Sequence, residues 1–122
     1  MKPEFDAEKS IYLQIAESIE DDILHEVIEE EAQVPSTNQM ASMYRINPAT
    51  AAKGINMLVS EGILYKKRGI GMFVSTGAVE KIKTKRKSTF YDKYVTPLLD
   101  EASSLGISKD ELLTMIKKTE EK

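Results

Sequence analysis

A mainly α-helical chain carrying one small β-hairpin is what the sequence predicts, on three observations. Apolar residues recur at helical spacing over residues 11–28. Helix-opening signatures then stand at Ser36 and at Asn47-Pro48. The period finally switches to that of strands on either side of Arg68-Gly69-Ile70-Gly71.

The first element follows from Ile11, Ile15, Ile19, Ile23 and Val27, with Tyr12, Ala16, Leu24 and Ile28 alongside. They mark one buried stripe of a helix, and the acidic residues fill the opposite, solvated face. Ser36 and Gln39 form an S-x-x-Q capping box, in which the hydroxyl takes an early helix N–H and the amide reaches back. A short helix follows over about Thr37 to Tyr44, with Met40 and Ala41 facing inward. Asn47 is a favoured N-cap, and Pro48 falls at the first helical position, where its missing N–H costs nothing. The proline therefore opens a third helix, and Gly62 lies just past its end, where a left-handed residue is common. Ala51, Ile55, Leu58 and Val59 share one face of this helix; Ala49, Lys53, Asn56 and Ser60 share the other. Gly54 borders the core, where a missing side chain permits close helix approach.

Two β-prone runs, Leu64–Lys67 and Met72–Val74, make a hairpin with basic residues at its tip. Two short helices joined by a tight turn and followed by a hairpin make a winged helix-turn-helix, placed here at residues 1–77. A basic stretch then reads as a helix or helical linker. From Ser88 on, Phe90, Tyr94, Val95, Leu98, Leu99, Ala102 and Leu105 form an amphipathic stripe, which Pro97 either kinks or starts. Gly106 is a stop, and Ser108–Glu111 a second capping box, opening a last helix with Leu112, Leu113, Met115 and Ile116 inside. The stripe exceeds what a lone pair of short helices can bury, and covering apolar area is favourable by about 25 cal/mol per Å². Residues 78–122 are therefore expected to be a dimerisation tail, with Phe90, Tyr94, Leu98, Leu99, Leu112 and Ile116 in a symmetric interface.

Charge is distributed unevenly. Residues 1–34 carry two basic and eleven acidic residues, 35–77 five basic and one acidic, and 78–122 ten basic and eight acidic, for a net charge of −3. Local charge decides what a surface binds, so the winged segment is suited to a polyanion although the chain is acidic. There is no cysteine, which excludes disulfides and thiolate metal sites. The start has no apolar leader, and no apolar run approaches the roughly 20 residues of a membrane span. A cytoplasmic protein is expected. With one histidine (His25, at the end of the first helix) and no converging pair of carboxylates, an enzyme is not expected. Neither is a metal or a cofactor.

A helix read into the major groove needs short side chains that admit it and a few that address base edges. Ala49, Thr50, Lys53 and Asn56 meet that need: Lys53 donates to guanine or phosphate, Asn56 pairs with adenine, and Ala49 or Thr50 touches a thymine methyl. Helix N-termini at Ser36, with Thr37 and Asn38, and at Asn47-Pro48 supply N–H groups for phosphates, and Arg45 lies in the turn between them. Lys66, Lys67 and Arg68 supply positive charge at the wing, where Gly69, Ile70 and Gly71 let the backbone come close to DNA and Arg68 suits a minor groove. The run Lys81, Lys83, Lys85, Arg86, Lys87 either contacts flanking DNA or is a solvated helix face.

The blocks IYLQIAESI (Ile11–Ile19), VPSTNQMA (Val34–Ala41), INPATAAKGINMLVSEGIL (Ile46–Leu64) and KKRGIGMFV (Lys66–Val74) resemble, in unbroken order, the GntR family of bacterial transcription regulators. Asn-Pro-x-Thr at the helix start and the short tail resemble its YtrA-like subfamily. The resemblance implies a homodimer on a palindromic operator in double-stranded DNA, usually a repressor, often of neighbouring ABC transporter genes. It places the family's phosphate-contacting serine on Ser36, its recognition-helix start on Asn47-Pro48 with the threonine kept as Thr50, and its wing Gly-x-Gly on Gly69-Ile70-Gly71. Arginines frequent in the family are replaced by Asn38, Pro48 and Ala52, and the glycines that usually precede the serine motif by Glu26 and Glu31. The thin arginine complement and the acidic first helix also admit a second class, a winged-helix protein-interaction module without DNA binding. The tail is too short to enclose a dedicated ligand domain, and the residues name no small-molecule effector.

Overall fold

A computed structural model describes residues 10–118; the opening residues read above for a leader lie outside them. The order is α1 (Ile11–Leu24), α2 (Thr37–Tyr44), α3 (Pro48–Ser60), β1 (Leu64–Lys67), β2 (Gly71–Val74), α4 (Ala78–Phe90), a π-helical segment Tyr91–Val95, α5 (Thr96–Ser104) and α6 (Lys109–Lys118). The class is the expected one, mainly helical with one antiparallel hairpin. The described residues fall into two compact units, one ending at residue 83 and the other starting at residue 84. Ala78 and Ile82 are buried in the core of the first, so the boundary falls inside α4 rather than between 77 and 78.

In the first unit α1 packs Ile15, Ala16, Ile19 and Ile23 on α3, which buries Ala51, Gly54, Ile55 and Leu58. The two helices meet where Gly54 has no side chain. A Cβ there would lie 2.7 Å from the Tyr12 carbonyl oxygen and 3.4 Å from Ile15 Cβ. Met40 and Ala41 of α2 are buried as expected, and the Ser18 and Tyr44 hydroxyls, 2.8 Å apart, tie α1 to α2. Leu64 and Val74, paired across the hairpin, close the core with Ile63. The free edge of β2 is taken by residues 31–34. Glu31 N–H donates to the Val74 carbonyl, Val74 N–H to that of Ala32, and Val34 N–H to that of Met72.

Four helices end in the same way, with a residue at positive φ whose neighbours close a 6→1 and a 5→2 hydrogen bond. After α3 and α5 that residue is glycine, Gly62 and Gly106. After α1 and α2 it is Glu26 (φ 62°) and Arg45 (φ 56°). Val27 N–H donates to the Asp22 carbonyl and Glu26 N–H to that of Ile23, so α1 stops at Leu24. The apolar stripe continues to Val27 and Ile28 in sequence but not in the helix, and Val27 is 72% exposed. Residues 25–34 form a connecting segment, and its acidic side chains do not extend the helix face.

The basic stretch after the hairpin is helical throughout α4. Pro97 marks a helix start, as one of the two expectations had it, although a π-helical segment rather than coil precedes it. It lies in the first turn of α5, directly after the π-helical segment. An α-helix would need the Pro97 N–H on the Lys93 carbonyl and would drive the ring into it; a wider turn absorbs both problems. In the second unit Ala102 and Leu112 are buried, while Leu113, Met115 and Ile116, expected inside, are exposed. Two short helices offer each other only one face, so the rest of the stripe stays at the surface of a single chain. The second capping box forms as expected, Ser108 Oγ accepting from Glu111 N–H at 3.1 Å and Glu111 accepting from Ser108 N–H at 2.9 Å.

Replacing Gly54 with alanine forces α1 and α3 apart and should lower stability by about 1–3 kcal/mol, read from urea denaturation. Replacing Glu26 with glycine relieves the left-handed penalty and should raise stability by about 1 kcal/mol in the same assay.

Candidate nucleic-acid interface

The entrance of α2 is built as its sequence requires. Ser36 Oγ accepts from Gln39 N–H at 3.1 Å, and Gln39 Oε1 accepts from Ser36 N–H at 2.8 Å. The hydroxyl accepts in this box, so its own proton stays free to donate. Within the first turn, the amides of Thr37 and Asn38 have no partner among the described residues. Ser36 and Asn38 are exposed and Thr37 half-buried, so this end offers several donors to an anion.

The entrance of α3 differs from the expectation of open amides. Pro48 has none, Asn47 Oδ1 accepts from Ala49 N–H at 2.7 Å, and the Asn47 carbonyl accepts from Thr50 N–H at 2.9 Å. The helix is capped by itself and keeps only its partial positive charge for a phosphate. Arg45, exposed in the turn just before it, stands at positive φ where glycine is at ease.

Along α3, Ala49, Lys53, Asn56 and Ser60 are exposed and Thr50 half-buried, as the periodicity requires. Lys53 does not extend freely into solvent. Its Nζ lies 4.2 Å from the centroid of the Tyr12 ring, contributed by α1.

At the wing, Lys66, Arg68, Gly69 and Ile70 are exposed, and Ile70 N–H donates to the Lys67 carbonyl at 2.9 Å to close the turn. The two glycines serve different ends. Gly69 stands at φ 78° with open space around its missing side chain. Gly71 is filled from within: a Cβ would lie 2.5 Å from Gln33 Nε2, and that amide donates to the Ile70 carbonyl at 3.1 Å. Close approach at Gly71 is thus made by the protein itself rather than reserved for DNA. Lys67 stacks on Phe73, its Nζ 4.4 Å from the ring centroid.

Glu30 and Glu31 brace the start of α4 and the hairpin respectively. Glu30 accepts from the Gly77 and Val79 amides at 3.0 and 3.1 Å, at the start of α4. Those hydrogen bonds hold its carboxyl below the ordinary 4.5. Glu31, at φ 70°, accepts from the Thr76 and Tyr65 hydroxyls, which lower its carboxyl likewise, and the bond to the Glu31 carboxylate raises the Tyr65 phenol. Tyr12, Gln33, Glu30 and Glu31 escape sequence reasoning, because each acts on a partner distant in the chain with no local spacing to mark the pair.

In the second unit Phe90, Tyr94, Leu98 and Ile116 are exposed, and the Phe90 and Tyr94 rings lie 5.4 Å apart. Leu99 is half-buried. Leu112 is buried within its own chain, beside a cleft it shares with Leu99, Ala102 and Ile107.

Both carboxyls are depressed in the fold, so their stabilisation is complete above the unfolded value and lost as pH falls through the folded ones. Glu30→Gln and Glu31→Gln should each lower the melting temperature near neutral pH and lose less stability than wild type as pH falls from above 4.5 through the depressed folded values.

Residues 11–74 match the family model for bacterial regulatory proteins of the gntR family. The chain is 29% identical to the Bacillus subtilis HTH-type transcriptional regulator YhcF over 96% of this chain and 95% of that one. It is 27% identical to the HTH-type transcriptional repressor YtrA of the same organism, over 88% of this chain and 82% of that one. Several other curated relatives are longer, and the chain spans 29% of their length. Among solved structures, a GntR-family regulator from Bacteroides thetaiotaomicron is 39% identical over 88% of this chain and 94% of that one, with a TM-score of 0.69. The DNA-binding domain of AraR in complex with operator ORR3 is 33% identical over 52% of this chain and 77% of that one, at a TM-score of 0.51. None of the described helices is long and apolar enough to cross a membrane. A family model spanning α1 to β2, with likeness that continues through the tail in YhcF and YtrA, shows that this chain belongs to the GntR family, as a non-enzymatic transcriptional regulator with a DNA-binding winged helix-turn-helix.

Proposed function

We propose that the protein represses transcription in the cytoplasm as a homodimer on a palindromic operator, with ABC transporter genes as its targets. The observation that carries this reading is the run of exposed donors from the α2 entrance through Arg45 to the outer face of α3, with Arg68 at the wing, in a segment of five basic residues and one acidic. Phosphates would be taken by Ser36, the Thr37 and Asn38 amides, Arg45 and Lys66; base edges by Lys53 and Asn56; a minor groove by Arg68. Arg45 supports the assignment in another way: its left-handed backbone costs about 1–2 kcal/mol relative to glycine, a penalty that a charged contact offsets. The exposed apolar stripe of the tail supports a second copy, and YtrA, by name a repressor, supports the direction of regulation. The operator's symmetry would mirror that of the dimer.

The test is an anisotropy titration against salt, with a duplex recovered from a randomised pool by the wild-type chain. Affinity should fall steeply with salt, and Arg68→Ala should reduce the logarithmic slope by about one per half-site while weakening binding. Lys53→Ala should lose preference for the recovered sequence more than overall affinity. Leu98→Glu should give a monomer in sedimentation and weaken binding strongly, since each half-site then binds alone. A flat salt response overturns the phosphate anchoring and leaves the protein-interaction reading.

A further inference from the structure

We propose that Tyr12, on α1, is a positioning residue for DNA recognition, its ring holding the Lys53 ammonium at the middle of the α3 outer face. This rests on the reading of α3 as the reader helix. A lysine is a hydrated point charge on a flexible stem, and a free one visits many positions over a groove. Here Nζ lies 4.2 Å from the Tyr12 centroid, within the roughly 6 Å at which a cation is drawn to a ring face. The ring can take this place because α1 and α3 come close at Gly54, next to Lys53, where the Tyr12 carbonyl would lie 2.7 Å from an added Cβ.

The kind of partner matters. A carboxylate would hold the ammonium equally well but would neutralise it and repel phosphates. A ring face holds it without cancelling its charge, and no carboxylate among the described residues pairs with Lys53. Of the three N–H donors on the ammonium, those turned away from the ring remain for a guanine edge or a phosphate. Tyr12 thereby converts a mobile charge into an aimed donor.

The experiment compares Tyr12→Phe and Tyr12→Leu, each alone and in a Lys53→Met background. Binding is read by anisotropy on the duplex recovered from the randomised pool and on a scrambled duplex of equal composition, with melting curves to show that each variant is folded. Tyr12→Phe keeps the ring and should bind as wild type. Tyr12→Leu should weaken binding to the recovered duplex about two- to fivefold, with a smaller change on the scrambled one. In the Lys53→Met background it should have no further effect. Equal binding by Tyr12→Leu and wild type overturns the proposal, as does the same loss in both backgrounds, which would make Tyr12 merely structural. Tighter binding by Tyr12→Leu overturns it too, since the ring would then restrain the lysine. A wild-type chain that recovers no duplex overturns the DNA reading itself, whereas recovery with an indifferent Tyr12 overturns only the positioning role.

Discussion

The close crossing of α1 and α3 at Gly54 sets the terms for the rest of the winged unit. With the Tyr12 carbonyl 2.7 Å from where a Cβ would be, one helix lies on the bare backbone of the other. That contact orders the isoleucine stripe of α1 against Ile55 and Leu58, and α2 and β1 pack in turn on α3. It also brings the Tyr12 ring to Lys53. A larger residue at 54 would disturb core packing and the placement of the outer-face lysine together, because the same backbone approach governs both.

Local rules are broken at Glu26, Glu31 and Arg45, each in a left-handed conformation that favours glycine. The breaks are compensated differently. Glu31 gains two hydroxyl donors and braces the outer face of the hairpin. Glu26 keeps the backbone hydrogen-bond pattern that stops α1. Arg45 places a cation in the turn between two helices. Two of the eleven acidic residues of the N-terminal segment are engaged by the scaffold. Glu30 is turned to the amides that open α4, and Glu31 to hydroxyls on and just after the hairpin that carries the basic tip.

Much of the architecture was legible in residues that act on their near neighbours. Ser36 with Gln39, Asn47 with Pro48, Gly62, Gly106 and Ser108 with Glu111 each specify a helix end within four residues, and each forms as read. The strands and the outer face of α3 were equally readable, since a period of two or 3.6 residues is a local property. The end of α1 was not legible in local spacing, because Glu26 does the work of a glycine without being one; only the family resemblance, which sets a glycine there, marks the position. The open faces of α6 were not either: its spacing marks an apolar stripe but cannot say whether a partner within the chain covers it.

By itself, then, the sequence determined the element order, the winged topology and which α3 residues face outward, because hydrogen-bond caps and side-chain periodicity act over a few residues. Only the tertiary structure decided how the candidate site is held. Tyr12 under Lys53, Gln33 filling the space at Gly71, Glu30 on the amides that open α4 and Glu31 on two hydroxyls join residues 34 to 49 positions apart, or helices that meet only after folding. No local preference encodes such pairs; they exist because close packing brings those groups within a hydrogen bond or a ring's reach of each other.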